Sequence, residues 1–62
     1  MQEYTFVSIA LLRRREGIEL DRDYQDVIRE HARDGWRFVQ AIPFESAVSP
    51  RLDLVFRRKV KK

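Results

Sequence analysis

The fold is decided by residues 21–39, DRDYQDVIREHARDGWRFV, where a helical pattern gives way to a strand pattern at a glycine. Apolar and aromatic side chains recur at spacings of three and four, the period of an α-helix, at Leu20, Tyr24, Val27, Ile28 and His31. We predict a helix over 21–34 with Asp21 as its N-cap, because aspartate accepts hydrogen bonds from the free N–H groups at a helix start. Gly35 then takes the left-handed conformation that ends the helix.

Three strands are predicted around this helix, at 4–12, 36–44 and 51–60. The first is rich in β-branched and aromatic side chains, which favour strands. It ends where Arg13-Arg14-Arg15-Glu16-Gly17 introduces charge and a glycine. Pro43 cannot donate a hydrogen bond to a sheet ladder, so the second strand is placed at a sheet edge.

These elements predict an α+β fold, a single βαββ domain over residues 1–62. A hairpin loop at 45–50 makes the last two strands antiparallel. With the last strand in the middle, the expected three-stranded antiparallel sheet has spatial order 2-3-1, and the helix lies on one face. A chain this short buries only about 60% of its unfolded surface, so its core alone leaves it marginally stable.

Side chains alternate across a strand, so each predicted strand offers one set to the helix and the other to the opposite side. We expect nine residues to face the helix: Tyr4, Phe6, Ala10, Trp36, Phe38, Ile42, Leu52, Leu54 and Phe56. Six apolar residues then point away from it: Val7, Ile9, Leu11, Val39, Ala41 and Val55. The first strand is apolar on both sides, so a shift of one residue would exchange its two sets.

The six apolar residues on the second face predict self-association. A solvated sheet face is mostly polar, so we expect this face to be the interface of a homo-oligomer, a homodimer or a higher assembly. On this hypothesis, Val7→Asp or Val55→Asp releases monomers. The alternative is a merely apolar surface, because scattered exposed apolar residues are common in proteins.

The composition excludes several classes of function. The chain has no cysteine, which excludes disulfides, cysteine–zinc sites and thiol catalysis. His31 is interpreted as a packing residue, and Asp21, Asp23 and Asp26 as charges that favour a helix start. There is no run of about 18 apolar residues, and the first residues lack a basic and apolar leader. We therefore expect a cytoplasmic protein without a membrane span, catalytic residues, a metal site or a cofactor.

Basic residues predominate slightly, with 13 Lys and Arg against 10 Asp and Glu and a net charge of +3. They form two clusters, Arg13, Arg14 and Arg15 in one, and Arg57, Arg58 and Lys59 with Lys61 and Lys62 in the other. An alternative function is therefore a nucleic-acid-binding accessory protein that neutralises phosphates. The predicted antiparallel pairing puts the clusters at opposite ends of the sheet, which favours a role in solubility and in protecting strand ends.

Short motifs along nearly the whole chain resemble a family of small bacterial proteins catalogued as a domain of unknown function. The matching stretches are Tyr4-Thr5-Phe6, then Asp34-Gly35-Trp36-Arg37-Phe38-Val39, then Leu54-Val55-Phe56-Arg57-Arg58. Arg37 stands where that family usually has an acidic residue, and Val7 where a polar residue is common. The resemblance implies a fold of one helix and three strands, and no activity.

Trp36 directly follows the glycine that ends the helix. It is interpreted as closing the end of the core. The alternative is an aromatic site for a small ligand, by analogy with the stacking in flavin-storing dodecins. The leading hypothesis is a homo-oligomeric, non-catalytic module that binds copies of itself or another protein.

Overall fold

The computed structural model describes residues 1–45 and 48–60, which form four strands and one helix in the order β1 (Gln2–Arg14), β2 (Gly17–Leu20), α1 (Tyr24–Arg33), β3 (Arg37–Phe44) and β4 (Arg51–Lys59). Ser46 and Ala47 of the predicted hairpin loop, and Lys61 and Lys62 of the second basic cluster, lie outside the described residues. All strand pairs are antiparallel, and the sheet order is β2-β1-β4-β3. The predicted three-stranded sheet with spatial order 2-3-1 is therefore wrong, because the described residues contain a fourth strand.

The additional strand, β2, arises from a tight hairpin within the basic stretch. β1 continues to Arg14, which pairs with Gly17, so Arg15 and Glu16 form a two-residue turn. Gly17 has a φ of +137°, a conformation that glycine reaches without the steric cost of a Cβ atom. The end of β1 and the whole of β2 together form a two-stranded ribbon that extends beyond the rest of the sheet.

The helix begins later than predicted, and its N-cap is Asp23 instead of Asp21. The Asp23 side chain accepts a hydrogen bond of 2.9 Å from the backbone N–H of Gln25. At the other end Gly35 has a φ of +87°, as predicted for the residue that ends the helix. The backbone N–H of Gly35 donates to Ala32 and that of Trp36 donates to His31, the two hydrogen bonds of a Schellman motif.

The register of β1 against β4 decides which side chains the helix covers. Val7 pairs with Leu54 and Ile9 with Leu52, and directly opposed residues of an antiparallel pair share a face. Ile9 is 1% exposed and packs in the core with Val27, Leu54 and Phe56. The two predicted faces of the first strand are therefore exchanged. Tyr4, Phe6 and Ala10, which alternate with these residues, lie on the side away from α1.

A β-bulge in β3 changes the second face assignment. Phe38 pairs with Phe56 but Gln40 pairs with Val55, so Val39 is an additional residue without a partner in β4. Beyond the bulge, Ala41 shares the face of Leu54 and Ile42 shares that of Asp53. Ile42, predicted to face the helix, therefore lies on the other side, and Ala41 takes the helix side.

The structure is thin and elongated. Its principal extents are 49 × 21 × 13 Å, and its radius of gyration is 13.4 Å, compared with about 11 Å for a compact chain of this length. Four side chains form the fully buried core: Ile9, Val27, Leu54 and Phe56. Since α1 has only ten residues, it covers a small part of one face, and the opposite face has no covering element among the described residues. Pro43 lies in β3, at one edge of the sheet.

Candidate functional site

The main candidate site is the side of the sheet turned away from α1, here called the open face. The strand registers place twelve side chains on it: Tyr4, Phe6, Ser8 and Ala10 from β1, Arg51, Asp53, Val55 and Arg57 from β4, and Arg37, Gln40, Ile42 and Phe44 from β3. These residues form four rows across the sheet. The rows differ in character, so the open face has an apolar centre, a basic end and a polar, partly aromatic end.

The centre of the open face is a shallow apolar surface. Phe6, Val55 and Gln40 form one row, and Tyr4 adjoins Phe6 along β1. Val55 is only 6% exposed, but Phe6 is 65% exposed and Tyr4 is 53% exposed. Large side chains in water beside a buried valine leave apolar area that a partner can cover.

A network of hydrogen bonds orders the neighbouring row. Asp53 Oδ1 accepts a hydrogen bond of 2.7 Å from the Ser8 hydroxyl and one of 3.1 Å from Arg51 Nε. The Arg51 guanidinium also lies over the Phe44 ring, with 4.3 Å between its carbon and the ring centroid. The charges of Arg51 and Asp53 compensate each other, so this end of the open face is close to neutral.

The structure places the six predicted interface residues differently from the expectation. Val7, Ile9 and Leu11 lie on the helix side of β1, and Ala41 lies on the helix side of β3. Val39 is at the bulge, and Val55 alone takes the open face as predicted.

Sequence reasoning missed four apolar or aromatic residues of the open face: Tyr4, Phe6, Ile42 and Phe44. Tyr4 and Phe6 alternate with Val7 and Ile9, so the sequence signal was present, but it did not say which set the helix covers. A bulge has no comparable signature in the sequence of β3.

The two basic clusters lie at opposite ends of the sheet, as predicted. Lys59 pairs with Gln2 and Arg57 with Tyr4, whereas Arg13 and Arg14 belong to the ribbon at the far end. Arg15 is in the turn of that ribbon. The clusters of one chain therefore do not merge into one continuous basic surface.

Arg58 lies on the opposite side of β4 from Arg57 and Lys59 and is held by contacts within the chain. Its Nε donates to Glu3, its Nη1 donates to the Asp34 carbonyl at 3.1 Å, and its guanidinium carbon lies 4.1 Å from the centroid of the Trp36 ring. This arginine is structural. Trp36 packs against the core with this arginine over its ring, which supports the packing interpretation more than the ligand-stacking alternative.

His31 is a packing residue, as the sequence predicted. Its ring stacks on Phe56 with 4.4 Å between centroids and an interplanar angle of 12°. Its Nδ1 lies 2.8 Å from the Val27 carbonyl oxygen. Both contacts occupy the imidazole within the layer between α1 and the sheet.

Two other kinds of site are absent from the described residues. No three His, Asp or Glu side chains of residues 1–45 and 48–60 are gathered as metal ligands would be. Within the same ranges, no helix is long and apolar enough to cross a membrane.

The fold and its open face define a class of small α+β module, a single antiparallel sheet with one short helix on one side. The chain belongs to the family described as Domain of unknown function (DUF4177), whose pattern matches residues 3–59. Comparisons with curated proteins and with solved structures find no significant match. The family membership agrees with the resemblance seen in the sequence motifs and assigns no activity.

Proposed function

We propose that the protein is a homodimeric interaction module, in which the open faces of two copies pack against each other. The proposal rests on the apolar centre of the open face, where Phe6 and Tyr4 extend into water beside the buried Val55. Sheets that pack face to face bury such side chains between them in many proteins. The second copy replaces the helix that the open face lacks.

The exposed area supports a partner of this size. A compact monomer of 7.5 kDa exposes about 4,250 Å², whereas this chain exposes 5203 Å². The excess of roughly 950 Å² is similar to the 800 Å² or so that each partner buries in a standard interface. A second copy on the open face would therefore bring the exposed area per chain close to that of an ordinary small protein.

The experiment that tests the proposal is sedimentation of the wild-type chain and of Phe6→Asp. Burying a phenylalanine side chain contributes about 1.5–3 kcal/mol, and a two-fold dimer buries two of them. We expect a wild-type dimer and a dissociation constant at least about 100-fold weaker for Phe6→Asp.

Ile18→Asp is the matched control. Ile18 is 61% exposed, close to the 65% of Phe6, and both changes add one negative charge. Ile18 pairs with Arg13 on the helix side of the ribbon, away from the open face. Its substitution should leave the dimer intact. A wild-type chain that sediments as a monomer at about 1 mM, where association contributes less than about 4 kcal/mol, would disprove the proposal.

Val7→Asp cannot serve as the test, because Val7 packs against the core on the helix side. That substitution would bury a charge among apolar side chains and destabilise the chain itself. Loss of the dimer would then report unfolding instead of a changed interface.

A further inference from the structure

The basic end of the open face contains an unusual pair of opposed cations. Arg37 of β3 lies directly opposite Arg57 of β4, and Lys59 follows two residues later on the same face. Like charges directly opposite each other destabilise a sheet. Each of the three is without an ion pair to any side chain in residues 1–45 and 48–60.

These cations line a cleft of about 860 Å³ at the end of the sheet, next to the turn that follows α1. Its other lining residues are Gln2, Glu3, Asp34, Gly35, Arg58 and Val60. Glu3 is already paired with Arg58. Arg37, Arg57 and Lys59 thus face only the Asp34 carboxylate as a further charge in the lining, which leaves a surplus of two positive charges.

We propose that this cleft binds the phosphate group of a phosphorylated ligand through Arg37, Arg57 and Lys59. Two guanidinium groups can each present a planar pair of donors to phosphate oxygens, and the lysine adds a point charge. A bound phosphate also relieves the repulsion between the opposed arginines. The size of the cleft lies within the range of small-molecule sites, and the phosphate can belong to a free nucleotide or to a single-stranded nucleic acid.

This site is independent of the proposed dimer. It lies at the end of the open face, whereas the dimer contact is centred on Phe6 and Val55. Failure of the phosphate site would leave the sedimentation result unchanged, and a monomeric wild-type chain could still bind phosphate.

The test compares Arg37→Gln/Arg57→Gln with the control Arg13→Gln/Arg15→Gln. Each double variant removes two exposed arginines and lowers the net charge from +3 by two. The probes are inorganic phosphate, adenosine monophosphate and a fluorescent single-stranded oligothymidylate, each titrated at constant ionic strength against chloride. Because the substituted side chains are exposed, we expect both double variants to fold, and circular dichroism verifies this.

We expect the wild-type chain and the control variant to bind at least one probe, and Arg37→Gln/Arg57→Gln to bind it at least about tenfold more weakly. Similar affinities for the mononucleotide and the oligonucleotide identify a free phosphorylated ligand. Much tighter binding of the oligonucleotide identifies a nucleic acid, provided that Arg37→Gln/Arg57→Gln lowers the slope of the salt dependence by about one unit for each phosphate that it no longer neutralises. Absence of binding to all three probes, or equal losses in the two double variants, would overturn the proposal.

Discussion

Arg57 and Arg58 are neighbours in β4, but the alternation of the strand gives them different surroundings. Arg58 lies on the helix side, where it contacts Glu3, the Asp34 carbonyl and the Trp36 ring. Arg57 lies on the open face opposite Arg37. At the scale of one residue, the same side chain therefore stabilises the fold at one position and remains available for a ligand at the next.

Replacing Arg58 should destabilise the chain more than replacing Arg57. Arg58→Gln removes the cation–π contact, which contributes about 0.5–1 kcal/mol at an exposed site, and the ion pair with Glu3, which contributes up to about 1 kcal/mol. We expect a loss of about 1–2 kcal/mol in the free energy of unfolding, measured by urea titration. Arg57→Gln should stay within about 0.5 kcal/mol of the wild type, and equal losses in the two variants would contradict this assignment.

Among the elements, α1 shows how a correct pattern can carry an incorrect boundary. Asp21 and Asp23 both precede the apolar stripe, and both are suitable cap residues by type. The structure distinguishes them, because the Asp23 carboxylate accepts from Gln25 while the backbone N–H of Asp21 donates to Ala10 of β1. Asp21 therefore still belongs to the end of the sheet.

Asp23→Ala should cost about 1 kcal/mol of the free energy of unfolding, the usual effect of losing an N-cap. Asp21→Ala is the control, since it keeps its backbone hydrogen bond and removes the same charge. Chemical denaturation followed by circular dichroism measures both. A larger loss for Asp21→Ala would return the N-cap to the position that the sequence suggested.

The strands explain which parts of the fold could be predicted. The strong signals were the helical period around Val27 and the glycine at the helix end, and both were interpreted correctly in type. β2 was missed because it has four residues and because Leu20 lies four residues before Tyr24, so it also fits the helical period. Its turn, Arg15-Glu16, lacks the Asn-Gly or Asp-Gly pair that usually marks a two-residue hairpin.

The site was predicted less well than the elements, since its residues depend on which face the helix covers. Both sets in β1 are apolar, so the sequence alone gives no preference between Phe6 and Val7. The register shift at Val39 then moved Ile42 to the open face. Cross-strand pairing determines both outcomes, and pairing is a long-range property that the local pattern does not contain.

For the molecule as a whole, the decisive quantity is the ratio of surface to core. Four fully buried side chains support a chain whose radius of gyration exceeds that of a compact domain of the same length. The ribbon contributes surface and little core, because an isolated two-stranded hairpin is marginally stable in water. Stability of the folded chain is therefore expected to depend on association.

We expect the unfolding midpoint of the wild-type chain to rise with protein concentration. For a dimer that unfolds to separate chains, each tenfold increase in concentration raises the apparent free energy of unfolding by about 1.4 kcal/mol. Urea titrations at several concentrations measure this dependence. Phe6→Asp should show a lower midpoint that does not vary with concentration, and a wild-type midpoint that is equally constant would contradict the coupling of folding to association.

Pro43 limits how copies of this chain can join. It lies in the edge strand β3 and has no N–H to offer an incoming strand, and the other edge is β2, which is only four residues long. Growth by strand addition is blocked at one rim and brief at the other, so concentrated solutions should remain free of amyloid fibrils and of thioflavin fluorescence.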